Sequence, residues 1–120
     1  MLFGLEGEPE GVLEALGRLA PEATVSLLMG DQGSITLDEG RLVRPTCRPV
    51  VQVVDPIGAG DAYVAGFLWT VLGGGGGTVQ AAVDAGTAVA ALKCSLWGDV
   101  AVIDPEDVRE VLAGGPGVRR

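Results

Sequence analysis

The stretch Gly58-Ala59-Gly60-Asp61 stands where a β-compatible apolar run, residues 50–54, gives way to helical spacing over residues 59–72. Its residue types allow two chemistries. In the first, the glycines make a tight turn, and Asp61 caps the helix or complements its positive end. In the second, the main-chain N–H groups of Gly58, Ala59 and Gly60 converge at the helix N-terminus as an anion hole. Glycine lets a phosphate come close to the backbone. Such a hole suits the charge on a transferring phosphoryl group. Asp61 beside it would accept the proton of an attacking hydroxyl, as a general base. The residues alone leave both readings open.

Other chemistries are easier to exclude. A P-loop needs a lysine after its glycines, and basic residues are absent between Arg48 and Lys93. The dinucleotide fingerprint needs a third glycine, but Tyr63 stands there, and Asp61 would face a pyrophosphate. With no histidine in the chain, Ser-His-Asp and Cys-His catalysis and most zinc sites fall away. Cys47 and Cys94 read as ordinary buried thiols, not as a disulfide framework. Trp69 and Trp97 read as packing residues, and Lys93 as a helix-end lysine in solvent. Asp99 and Asp104 read as caps or solvated carboxylates, and residues 73–77 as a glycine connector.

The elements that must hold this turn follow from periodicity. Pro9 and Glu10 open a helix with Val12, Leu13, Leu16 and Leu19 on one face. Residues 23–30 read as a buried strand, 30–33 as a turn, 34–37 as a strand, 38–40 as a hairpin turn and 41–45 as the returning strand. Residues 50–54 would add another strand. The helix after the glycines would bury Val64, Phe67, Leu68, Val71 and Leu72. Residues 78–93 form a further helix whose alanines and glycines imply close packing. Asp104 caps a last one, with Pro105 and Asp107 in its first turn and Gly114 and Gly115 beyond its end. That order is α/β, with three or four strands, helices on both faces of the sheet and exposed sheet edges.

"DPIGAGDAYVAGFL" resembles the D-[TP]-x-G-A-G-D-[AS]-[FY] signature of the ribokinase (PfkB) family of sugar kinases. "VSLLMGDQGSI" is similar to the family's segment beside the ATP phosphates, and "AVDAGTAVAALKCSLWGD" to the helix and loop that enclose adenine. The resemblance covers most of residues 23–99. It implies ATP-dependent phosphorylation of a sugar or sugar-acid hydroxyl, with Asp61 as catalytic base and Gly58, Ala59 and Gly60 as the anion hole. Gly30, Asp31, Gly33, Ala85 and Ala88 would contact the nucleotide. Asp55 would serve a monovalent cation such as K+ or a local structural site, and Mg2+ would accompany ATP. Pro56, where threonine is commoner, and "ALKCSLWGD" are similar to the 2-keto-3-deoxygluconate kinase branch.

The resemblance further implies that residues 1–120 form one partial domain. This is the carboxy-terminal, nucleotide-side portion of a ribokinase-like three-layer sandwich, with the lid, the sugar-binding segment and the N-x-x-E motif outside it. Such a chain is expected to bind nucleotide weakly and to phosphorylate little alone. A different class of reading is a non-catalytic, self-associating module, a homodimer that covers an exposed sheet edge.

Composition agrees with a folded domain. The chain has 120 residues, 48% of them apolar, and a net charge of −8. That charge argues against nucleic acid and anionic membranes as partners, since neither would release counterions to it. The mean hydropathy of +0.39 is high for a small soluble domain. Glycines interrupt the longest uncharged stretch before it could span a bilayer. The first residues lack the long apolar core of a signal peptide, so a cytoplasmic location is expected.

Overall fold

The computed structural model describes residues 7–49, 52–73, 77–98 and 103–114. The chain divides into two units, Met1–Arg44 and Pro45–Arg120.

In the first unit, helix α1 (Pro9–Leu19) starts on the expected proline and buries Leu13 completely. Gly17 lets the helix lie directly on Leu37, because any Cβ there would collide with that side chain. Beneath it is a three-stranded antiparallel sheet in the order β1 (Val25–Leu28), β2 (Ser34–Asp38), β3 (Arg41–Val43). Register pairs Val25 with Leu37 and Leu28 with Ser34, then Leu37 with Leu42 and Asp38 with Arg41. Ser26 and Thr36 face each other and share a hydrogen bond of 2.8 Å between their hydroxyls. The β2–β3 turn holds Glu39 at φ 48° and Gly40 at φ 78°. Two left-handed residues in succession match the twist of a tight hairpin.

One expectation fails here. The apolar run 23–30 does not make a strand buried on both faces. β1 is an edge strand whose residues alternate in exposure, and Leu28 stays 40% exposed. Pairing on one side only leaves its other side without a neighbour in this sheet.

The second unit is helical. It contains α2 (Ala59–Val71), α3 (Val79–Cys94) and α4 (Pro105–Leu112). α2 and α3 meet through glycine. A Cβ on Gly66 would lie 2.9 Å from the Ala85 carbonyl oxygen, and one on Gly86 would lie 2.9 Å from that of Tyr63. Contacts that short are not found for real Cβ atoms, so both positions exclude side chains. This crossing decides which face of α2 is buried. Ala62, Tyr63, Gly66 and Thr70 turn inward, whereas Val64, Leu68 and Leu72 are exposed. Of the five side chains expected to face the core, Phe67 and Val71 are half-buried and the other three are exposed, because the close approach at Gly66 turns the face carrying Ala62, Tyr63 and Thr70 inward.

On the other side of α3, Ala88 and Leu92 pack with Val108 and Val111 of α4. The strand expected over residues 50–54 is not formed at residues 52–54, while 50 and 51 lie outside the described residues. Instead the N–H groups of Val54 and Asp55 both donate to the Cys94 carbonyl, at 2.7 and 3.0 Å. The chain here closes the end of α3 rather than adding to a sheet. Asp99, and the connector residues 74–76, also lie outside the described residues.

Candidate active site

Among the described residues of the second unit three helices begin, and two of them are closed by side chains. Thr78 Oγ1 accepts from Ala81 N–H at the start of α3. At α4, Asp104 accepts from the N–H groups of Glu106 and Asp107, and Asp107 returns the favour by accepting from Asp104 N–H. α2 has no such closure. Its N-cap is Gly58 in the left-handed region, at φ 85° and ψ 2°, with no side-chain cap. Any other residue would be strained in that conformation.

Asp61 occupies the third position of α2, as Asp107 does in α4. Asp104 is extended, at φ −109° and ψ 168°, which directs its N–H to the carboxylate one turn on. Left-handed Gly58 does not offer that geometry. Asp61 is exposed, and its carboxylate bonds to no described residue. The capping role that the sequence left open is therefore not what the structure displays.

The amides need one correction. Ala59 N–H is taken by the Pro56 carbonyl at 3.2 Å, which closes the turn before the helix. Among the described residues, no acceptor meets the N–H groups of Gly58, Gly60 or Asp61. Asp61's own amide was missed from the sequence. The signal for it was general, since the first amides of any helix lack intrahelical acceptors. Unpaired amides at a helix's positive end can bind an anion, and an unshared carboxylate on the same first turn can accept a proton.

A second cluster holds the turn from behind. Asp55 accepts from Ile57 N–H and Gly98 N–H through its two carboxylate oxygens, each at 3.0 Å. These N–H donors, and to a smaller extent the Lys93 charge, hold its carboxyl below the usual carboxylate value. Lys93 was expected in solvent, but it is 0% exposed. Its ammonium donates to the carbonyls of Asp55 at 2.9 Å and Leu96 at 3.2 Å. Packing of α3 between its neighbours leaves the lysine stem no route outward, so the head bonds backbone instead.

Asp84 similarly anchors the segment ahead of the turn. Its carboxylate accepts from the N–H and the hydroxyl of Thr46, both at 2.7 Å. Cys47 and Cys94 are free thiols. Burial, and then the Asp84 charge, push the Cys47 thiol above its ordinary value. That makes it a poor nucleophile.

Gly30, Asp31 and Gly33 form an exposed 3-10 turn between β1 and β2 in the first unit. Ala85 and Ala88 are buried, Ala88 against Leu92, Val108 and Val111. Trp97, read as a packing residue, is 81% exposed. Its loop is fixed through the Gly98 main chain instead. Among the described residues, no group of three or more His, Cys, Asp or Glu side chains could hold a metal ion. These donors alone do not fit Mg2+, which bonds nucleotide phosphates directly when it accompanies them. No helix among the described residues is long and apolar enough to cross a membrane.

Comparison with known proteins bears on this arrangement. The profile of the pfkB family of carbohydrate kinases matches residues 1–104. A 2-dehydro-3-deoxygalactonokinase of Haloferax volcanii is 38% identical over 94 residues, which is 77% of this chain and 28% of that protein. Fructoselysine 6-kinase of Escherichia coli is 41% identical over 77 residues, or 62% of this chain and 28% of its own length. The chain thus spans less than a third of either relative.

Among solved structures, Arabidopsis thaliana ribokinase complexed with ribose and ATP superposes with a TM-score of 0.75 at 24% identity, covering 88% of this chain and 34% of its own. Vibrio cholerae fructokinase, in its fructose, ADP and calcium bound form, gives 0.74 at 22%, covering 88% and 35%. Likeness at that identity establishes the α/β ribokinase fold. A profile match that runs through the open helix start and across most of both units settles the family: this chain belongs to the pfkB carbohydrate kinases.

Proposed function

We propose that this chain is the nucleotide-side portion, one partial domain, of a cytoplasmic ATP-dependent sugar kinase, and that Asp61 is its catalytic base. The open start of α2 carries this reading, with unpaired amides beside a carboxylate that no described residue uses. In the reaction, a sugar hydroxyl oxygen attacks the γ-phosphorus of ATP. Asp61 takes the hydroxyl proton, the bond from that phosphorus to the β–γ bridging oxygen breaks, and ADP leaves. The amides of Gly58, Gly60 and Asp61 offset the charge spread over the phosphoryl oxygens. The Haloferax relative supports a 2-keto-3-deoxy sugar acid as acceptor.

Calorimetric titration of the chain with a non-hydrolysable ATP analogue tests the proposal. Weak binding that survives Asp61→Asn agrees with it, and an absence of binding contradicts it. Little sugar phosphorylation is expected from these 120 residues alone.

A second reading has its own observation. Val64, Leu68 and Leu72 form an exposed apolar stripe on α2, with Leu72 81% exposed. We read it as a surface for self-association, in addition to the exposed sheet edge. Sedimentation of the wild type and of Leu68→Glu checks this. A dimer that ignores nucleotide favours a structural module over the kinase portion.

A further inference from the structure

The family resemblance brings K+ to Asp55, and the residues there do not fit it. A potassium ion needs several oxygens turned toward one point. Both Asp55 carboxylate oxygens are turned onto N–H groups, those of Ile57 and Gly98. The Asp55 carbonyl is turned onto the Lys93 ammonium, as is the Leu96 carbonyl. The position is filled by a cation that the chain carries itself.

The surroundings suit that cation. Lys93 lies in the last turn of α3, where the helix dipole favours positive charge. Main-chain carbonyls meet its donors, and no described buried side-chain nitrogen or oxygen lacks a partner. The segment it grips is short. Val54 and Asp55 are bonded to Cys94 at the negative end of α3, and three residues later Gly58 opens the positive end of α2.

We propose that Lys93 is a built-in replacement for the monovalent cation. It is a positioning residue that fixes residues 54–58, and so holds the α2 amides open, whatever salt is present. Lys93 touches no substrate in this account. Its consequence for phosphate binding rests on the proposed function; its effect on the loop does not.

The test uses the whole chain in chlorides of potassium, ammonium, sodium and choline at one ionic strength. Three quantities are read: thermal unfolding, amide exchange at Ile57 and Gly98, and titration with the ATP analogue. Wild type is expected to give the same values in potassium and in choline. Lys93→Ala should exchange at Ile57 and Gly98 about tenfold faster or more and bind the analogue about tenfold more weakly. Ammonium should restore part of both, and choline neither.

A wild-type preference for potassium over choline overturns the proposal. So does a Lys93→Ala chain whose Ile57 and Gly98 exchange is unchanged, or whose loss ammonium does not reduce. If that variant does not fold, the wild-type salt series decides. Wild type that binds no analogue at all refutes the kinase reading, while exchange and unfolding still judge the role of Lys93.

Discussion

α2 and α4 both begin with an aspartate at the third helical position, and they use it in opposite ways. In α4, Asp107 bonds back to Asp104 N–H, and Asp104 covers two further amides. That end is complete, and its carboxylates are spent on structure. In α2, left-handed Gly58 replaces the capping side chain, and Asp61 bonds to no described residue. The same residue type at the same position is structural in one helix and available in the other. The difference lies in the N-cap backbone, not in the aspartate.

The Gly30–Gln32 turn sharpens the lesson. It too combines glycines of positive φ with an aspartate. Yet Gln32 N–H donates to Met29, Gly33 N–H to Gly30 and Met29 N–H to Gly33. The N–H groups of Met29, Gln32 and Gly33 are consumed by the turn's own carbonyls, and only those of Gly30 and Asp31 meet no acceptor among the described residues. Glycine-rich composition therefore does not by itself mark an anion site; the donors left unpaired matter, and here they are fewer than at α2.

The largest effect should come from the two aspartates themselves. Asp61→Asn should lower any phosphotransfer from ATP to a sugar acid by about 10²–10⁴-fold. Asp107→Asn should leave that rate unchanged. A coupled ADP assay on both variants would break the comparison if they responded alike. Next in size is the crossing that carries α2. Gly66→Leu forces a side chain against the Ala85 backbone and should destabilise the chain by about 2–3 kcal/mol in denaturant unfolding.

Opening the α4 end should cost less. Asp104→Ala removes the cap and should lower stability by about 1 kcal/mol, with ATP-analogue binding unaltered. The smallest effect is one of pH. The folded value of Asp55 lies below its unfolded one. Its contribution is therefore present above about pH 4 and fades as pH falls through the folded value. Thermal unfolding of wild type and Asp55→Asn should converge as the solution is acidified.

Local signals in the sequence located much of this. Pro9, Thr78 and the Asp104–Asp107 box marked three helix starts, and the hairpin followed from Asp38, Glu39 and Gly40. What stayed hidden depends on contacts distant in sequence. Periodicity chose the large apolar face of α2 for the core, because it cannot register that Gly66 and Gly86 let two backbones meet. Residues 52–54 are β-compatible, but their neighbourhood serves the end of α3 through Cys94. Lys93 read as a surface residue, since only the fold brings the Asp55 and Leu96 carbonyls to it. Within the site, the glycines and Asp61 were legible. That Ala59 N–H would be lost to Pro56 was not.

The most direct test of the open helix start is a ¹⁵N–¹H correlation spectrum of the chain during titration with a non-hydrolysable ATP analogue. The amides of Gly58, Gly60 and Asp61 should shift most, with Glu106 and Asp107 unmoved. Shifts confined to other residues, with those three amides silent, would contradict the account.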